Sequence, residues 1–255
     1  MKYIRMTIVP NGQLTLPLDY FEIMQGVFYR LLSFDKTLFA KVHDSKVEIA
    51  DAIKLFCFSE PRGRYSIRDK KRIYYGAFSF EIRSAEDSIV DTVFARLETN
   101  RSLYINGCEC SVTQFEMGRR FFDGDGLLLN MNTPITVYST HENGWRQYFE
   151  PAEADFIKAV ISNLKKKYLL VFDKPFDGEI EFEALHSEKS SKCVTHFGSN
   201  RINAWFGEFL LKASPEMLTI AYYCGIGSKN SNGFGFTDII RSMNKTANNT
   251  KAGNV

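Results

Sequence analysis

The chain has 255 residues, of which 44% are hydrophobic and 14% aromatic, with 32 Lys and Arg set against 30 Asp and Glu. Such a length suits two compact domains better than one small module, and 22 Phe supply apolar surface for a core in each half. A formal charge of +2 lacks the broad basic field of a typical nucleic-acid binder, so any polyanion has to be met by local clusters.

Tyr3 to Val9 alternates as a strand, and Pro10-Asn11-Gly12 ends it with turn chemistry. A helix is predicted from about Pro17 to Leu32, because Phe21, Met24, Phe28 and Leu31 recur at helical spacing. Leu55 to Ser59 reads as a short buried strand, and Arg72 to Arg83 as a longer one. Ser84 to Asn100 reads as a helix that Ser84 caps, with Ile89, Val93 and Leu97 on one face, and Tyr104 to Phe115 as a strand. Gly118 to Asn130, rich in Gly and Asp, reads as the seam. Beyond it come a strand (Pro134 to Ser139), a helix (Ala152 to Lys167), two strands (Glu179 to Leu185, Val194 to Leu211), a helix (Pro215 to Cys224) and a closing strand (Gly235 to Arg241). A βαββαβ order occurring twice predicts an α+β protein of two tandem ferredoxin-like, RRM-like domains, each a four-stranded antiparallel sheet with two helices. The expected limits are 1–125 and 126–243, with 244–255 as a flexible tail.

The five cysteines, odd in number and scattered, argue against a disulfide framework and for a reducing cytoplasm. The N-terminus is a charged, alternating strand without the apolar core of a signal peptide, and no run is long enough to span a bilayer, so a cytoplasmic protein without a membrane partner is expected. Cys193 and His196, with His186 upstream, have ligand-like spacing but no second pair, and neither a metal nor a cofactor is expected.

The densest local signal is Gly225-Ile226-Gly227-Ser228-Lys229-Asn230-Ser231-Asn232-Gly233-Phe234-Gly235. Its glycines permit close backbone approach and Lys229 adds a point charge suited to phosphate, a combination that fits a polyanion. The residue order is neither a Walker loop nor a dinucleotide fingerprint, and a hairpin with an Asn-Gly turn explains the glycines equally well. Arg62, Arg64, Arg68, Lys70, Lys71 and Arg72 form one basic run and Lys165, Lys166 and Lys167 another, each compatible with a solvated surface. On the first helix Gln25, Gly26 and Tyr29 share a face away from the apolar stripe, and Gly26 implies close packing there. Taken singly, Tyr29 is an ordinary packing tyrosine, His43 a surface histidine and Lys54 a snorkelling lysine.

Together these segments resemble a family. Leu16-Pro17-Leu18 before a helix, Met24-Gln25-Gly26-Val27-Phe28-Tyr29-Arg30-Leu31-Leu32, a histidine shortly after, and Lys54-Leu55-Phe56-Cys57-Phe58-Ser59 look like the N-terminal half of the CRISPR-associated repeat endoribonucleases, the Cas-six family. The glycine-rich segment resembles that family's C-terminal loop, and Ser139 with its strand before a Pro-Ala helix resembles its middle. The resemblance implies a cytoplasmic, metal-independent endoribonuclease that binds CRISPR repeat RNA and cuts the precursor into guide RNAs, leaving a 2′,3′-cyclic phosphate and a 5′-hydroxyl. It implies Tyr29, His43 and Lys54 as the catalytic set: the histidine as general acid, the lysine stabilising charge in the transition state, and the tyrosine as base or orienting group. Arg62, Arg64, Gly225, Gly227, Lys229, Asn230, Gly233 and Gly235 are the expected RNA contacts. A non-cleaving RNA-binding subunit of a CRISPR ribonucleoprotein stays open as the alternative, as do homodimerisation and association with other effector subunits. A small-molecule binder using the glycine loop gains little, since no nucleotide signature accompanies that loop.

Overall fold

The computed structural model of the protein describes residues 1–43 and 53–243. Its first part holds β1 (Lys2–Pro10), β2 (Thr15–Pro17), α1 (Phe21–Leu32), α2 (Lys36–His43), β3 (Phe56–Phe58), β4 (Arg62–Arg68), β5 (Lys71–Ser84), α3 (Asp87–Thr99), β6 (Ser102–Ile105) and β7 (Cys108–Gly118). The second holds β8 (Gly126–Met131), β9 (Tyr138–Thr140), β10 (Arg146–Tyr148), α4 (Ala154–Phe172), β11 (Glu181–Leu185), β12 (Ser191–Phe197), β13 (Asn200–Phe206), β14 (Glu208–Lys212), α5 (Pro215–Cys224) and β15 (Thr237–Met243).

The two sheets share one plan. In the first, β4-β5-β1-β7 pair antiparallel in that order, and in the second β11-β14-β8-β15 do the same. With α1 and α3 in the first part and α4 and α5 in the second, both are ferredoxin-like units. Additions distinguish them. The first sheet grows to seven strands as β2 and β3 join β5 and β6 joins β7, whereas the second keeps four and carries two separate hairpins, β9–β10 and β12–β13.

Local chemistry explains each element. Ile4, Met6 and Ile8 alternate inward from β1. The buried side of α1 is Phe21, Met24, Val27, Phe28, Leu31 and Leu32. Each such side chain contributes about 1.5–3 kcal/mol on burial, which outweighs the glycine in the middle of the helix. Two cores result, one under α1 and α3 and the other under α4 and α5. They are joined by polar and aromatic contacts. Arg83, buried, donates to Glu81 on its own strand and to the Thr237 carbonyl at 2.9 Å, and its guanidinium lies 3.7 Å from the Tyr222 ring centre and 3.8 Å from that of Phe236. Burial alone would raise the Glu81 carboxyl, but Arg83 and Arg5 hold it below the usual carboxylate range.

Several predicted boundaries shift. Pro17 ends strand β2, paired with Lys71, and the helix begins at Phe21 because Leu14 and Leu16 are drawn inward first. Ser84 ends β5 rather than capping α3, although its hydroxyl accepts from the Glu86 amide. Helix α2 was not anticipated; its signal is Asp35, whose carboxylate accepts from the amides of Thr37 and Leu38, with Leu38 and Val42 buried one turn apart. The predicted strand Tyr104 to Phe115 is a hairpin turning at Asn106-Gly107, both at positive φ. The seam contains β8, where Leu127, Leu129 and Met131 alternate inward, so the first strand of the second sheet precedes the predicted Pro134–Ser139. In that later stretch Ile135 makes an isolated bridge to Trp205, and Tyr138 and Ser139 belong to β9, paired with β10 outside the main sheet. Val194 to Leu211 divides into β12, β13 and β14. The predicted tail, 244–255, lies outside the described residues.

Candidate active site

Tyr29 sits in the last turns of α1, half-buried, with its ring against the first core. Lys54, just before β3, donates from Nζ to Tyr29 Oη at 2.9 Å, and the same ammonium lies 5.4 Å from the ring centre. His43 closes α2. Its imidazole stacks on Phe39 at 4.9 Å and meets the Tyr29 ring edge-on at 5.1 Å. Three successive segments of the chain thus bring a phenol, an imidazole and an ammonium together. The result is a possible proton donor, a possible proton acceptor and a fixed positive charge at one surface point.

The glycine-rich segment is no hairpin. Between α5 and β15 it runs as a loop with a single 3-10 turn at Asn230–Asn232. Gly225, Gly227, Gly233 and Gly235 all have positive φ. A Cβ at Gly235 would stand 1.9 Å from the Ile226 carbonyl oxygen, and one at Gly233 2.8 Å from the Phe58 ring. These glycines exist for the loop's own closure and docking. The loop sits on α1, where Gln25 donates to the Ser231 carbonyl at 2.8 Å and Phe21 stacks on Phe234 at 4.6 Å.

Beneath the loop, the fully buried Lys167 donates to the carbonyls of Gly225 and Gly227 and to Asn230 Oδ1, at 2.7, 3.0 and 2.7 Å. Burial lowers its pKa to about 8, against the pull of the Cys224 and Cys57 thiols. The Asn230 amide in turn donates to the carbonyls of Ile226 and Phe234. Asn230 is therefore directed inward, together with the four glycines, while Ser228, Lys229, Ser231 and Asn232 form the open side.

That open side is one wall of a cleft of about 460 Å³, whose opposite walls come from β9–β10 and α4 and which reaches Lys54. Helix α4 presents Ala159, Ser162, Asn163 and Lys166 to it, spaced i, i+3, i+4 and i+7. Successive residues on a helix turn by about 100°, so the run Lys165–Lys167 fans out. Lys166 faces the cleft and Lys167 the core, while Lys165 is exposed. Sequence reasoning missed Lys166, Lys167 and Arg146 as part of the site; the signal was helical phase within a run first read as one block.

The other basic run also divides. Arg62 pairs with Asp238 at 2.6 Å, and Arg72 pairs with Glu60 while lying 4.5 Å from the Tyr20 ring centre. Arg64, Arg68, Lys70 and Lys71 are exposed along the β4–β5 hairpin. Of the ligand-like residues, His186 lies beside Glu188 and His196 beside Asp19, and among the described residues no three His, Cys, Asp or Glu side chains gather as metal ligands would.

Residues 117–239 match the family model described as CRISPR associated protein Cas6, C-terminal. A CRISPR-associated endoribonuclease Cas6 of Methanocaldococcus jannaschii is 29% identical over 107 residues, and the match spans 41% of each chain. A solved Cas6-related protein of Pyrococcus furiosus superposes with a TM-score of 0.81 at 16% identity, over 94% of this chain and 98% of that one. A RAMP protein described as binding different RNA substrates superposes at 0.78 with 18% identity, over 94% and 100%. Residues 117–239 therefore resemble the C-terminal domain of Cas6 proteins, within a fold that solved Cas6 proteins share along 94% of the chain.

Proposed function

We propose that the protein binds CRISPR repeat RNA and cuts it by internal attack, releasing guide-length RNA. In this reading the 2′-oxygen 5′ of the scissile phosphate bonds to phosphorus, the P–O5′ bond breaks, and a 2′,3′-cyclic phosphate and a 5′-hydroxyl result. The proton of the 2′-hydroxyl leaves toward Tyr29, which either takes it or orients the hydroxyl. His43 supplies a proton to the departing O5′, and Lys54 stabilises charge on the pentacoordinate phosphorus. The carrying observation is the 2.9 Å contact of Lys54 Nζ with Tyr29 Oη, with the His43 ring 5.1 Å from that of Tyr29. The likeness to a Cas6 endoribonuclease and to RNA-binding neighbours supports the substrate class.

The test is a cleavage time course on repeat RNA from the array beside the gene, with and without EDTA. A parallel RNA carries one 2′-deoxy substitution 5′ of the scissile phosphate. The normal RNA should be cut equally in both buffers, and the deoxy RNA should bind but stay whole. Cutting of the deoxy RNA at the normal rate, or loss of cutting in EDTA, removes the internal-attack mechanism.

A further inference from the structure

The cleft between the glycine loop and α4 has an unusual charge balance. Four cations reach it: Lys54, Arg146, Lys166 and Lys229. No carboxylate lines it among the described residues. Several basic side chains elsewhere are neutralised, as in Arg5–Glu81, Lys41–Glu86, Arg72–Glu60, Lys192–Glu150 and Lys212–Glu181. Among the described residues, Lys54, Arg146 and Lys166 form no ion pair. Gathering Lys54, Arg146 and Lys166 at a lining without carboxylates is unfavourable, and natural folds keep such arrangements where an anion completes them.

Two further atoms suit such an anion's carrier. Arg146 Nε and Asn163 Oδ1 are shielded from solvent yet lack hydrogen-bond partners among the described residues. One is a donor and the other an acceptor, the pairing that a sugar–phosphate chain, with its anionic oxygens and 2′-hydroxyls, can satisfy. Arg146 also lies 5.2 Å from the Tyr138 ring centre and Lys229 5.5 Å, so the aromatic face is occupied by cations and the cleft offers charge rather than a stacking slot. One of its cations, Lys54, also contacts Tyr29.

We infer that this cleft is a backbone subsite, holding the phosphates of single-stranded RNA next to the scissile one, with Arg146 and Lys166 as phosphate-binding residues outside the catalytic trio. The inference rests on the reading of the protein as an RNA binder, and not on cleavage. A free mononucleotide fits less well, because polar groups and cations line the cleft and its apolar contribution is confined to Ile53, Ala159 and Tyr138.

The experiment measures binding alone. The probe is fluorescein-labelled repeat RNA made uncleavable by the 2′-deoxy substitution, titrated across salt concentrations with wild type and with Arg146→Gln/Lys166→Gln. A control, Lys174→Gln/Lys189→Gln, removes the same charge from exposed positions outside the cleft lining. Each single-strand phosphate contact steepens the log–log salt dependence by about 0.7, so the cleft variant should lose about 1.4 units of slope and roughly tenfold in affinity at 0.15 M salt. Neutral methylphosphonates placed one at a time should weaken wild-type binding most beside the scissile phosphate, and this sensitivity should vanish in the cleft variant. Unchanged slope in the cleft variant, equal loss in the control, sensitivity only at remote phosphates, or displacement of the RNA by equimolar AMP would each overturn the subsite. Because the deoxy probe is never cut, failure here leaves the cleavage mechanism standing. Cleavage can fail without altering the salt slopes.

Discussion

The two sides of the glycine loop are built to different standards. Its underside is closed and over-determined: Lys167 satisfies three acceptors, Asn230 ties two more carbonyls, and four glycines occupy backbone regions that side chains avoid. The side that faces the proposed catalytic trio is held by few contacts. Tyr29, His43 and Lys54 touch through one hydrogen bond and ring edges, from three separate segments. The difference teaches that form and chemistry are separable here. Substitutions beneath the loop should act on stability, and substitutions in the trio should act on rate.

Lys167→Met gives the largest expected effect on stability. It leaves three buried acceptors without a donor, which should cost about 3 kcal/mol and lower the melting temperature by roughly 6–12 °C. The pH dependence sharpens the attribution. The folded-state pKa of Lys167 is about 8, below that of an unfolded lysine, so between the two the unfolded chain binds more protons and stability rises with pH. Chemical denaturation from pH 8 to 10 should therefore show the wild type gaining on the variant, by at most about 3 kcal/mol. A gap that shrank with rising pH would mean that the charged ammonium itself, beyond its hydrogen bonds, holds the loop.

His43→Ala should behave in the opposite way. The imidazole is exposed and lies outside both cores, so the melting temperature and RNA affinity should barely move. The single-turnover rate should fall about a hundredfold, equivalent to about 2.7 kcal/mol in the barrier. If the rate were unaltered, the histidine would leave the site; if the protein melted much lower, the proposed separation of form from chemistry would fail.

The legibility of these regions from sequence follows the same division. The repeated βαββαβ plan was readable because it rests on apolar periodicity, as in Phe21, Met24, Phe28 and Leu31 of α1 or Ile89, Val93 and Leu97 of α3. Strand β8 was missed because Gly124, Asp125 and Gly126 read as turn residues, while the alternation of Leu127, Leu129 and Met131 spans only five positions. The family resemblance carried Tyr29, His43 and Lys54, and no local pattern would have joined residues on three elements. Asn230 and the four glycines were read as RNA contacts because composition cannot tell a loop's inside from its outside. Lys167 was hidden in a run of three lysines, where only the phase of α4 assigns it to the core.

Lys229→Gln gives the smallest effect and tests the loop's outer side most directly. Lys229 belongs to the loop, yet it reaches the cleft beside Lys54 and stands 5.5 Å from the Tyr138 ring centre. Its backbone is in the left-handed region at φ 59°, a conformation that glutamine adopts at a cost similar to lysine's, so the exchange removes charge while preserving length and backbone. With the underside intact, the melting temperature should stay within about 2 °C of wild type, as for surface substitutions generally. If the ammonium meets one phosphate, the salt dependence of RNA affinity should flatten by about 0.7 unit, with affinity at physiological salt falling severalfold. A drop in stability like that of Lys167→Met would show that the outer residues also hold the loop together, and the two-sided description would be wrong. A normal melting temperature with an unchanged salt slope would instead confine phosphate binding to Arg146, Lys166 and Lys54.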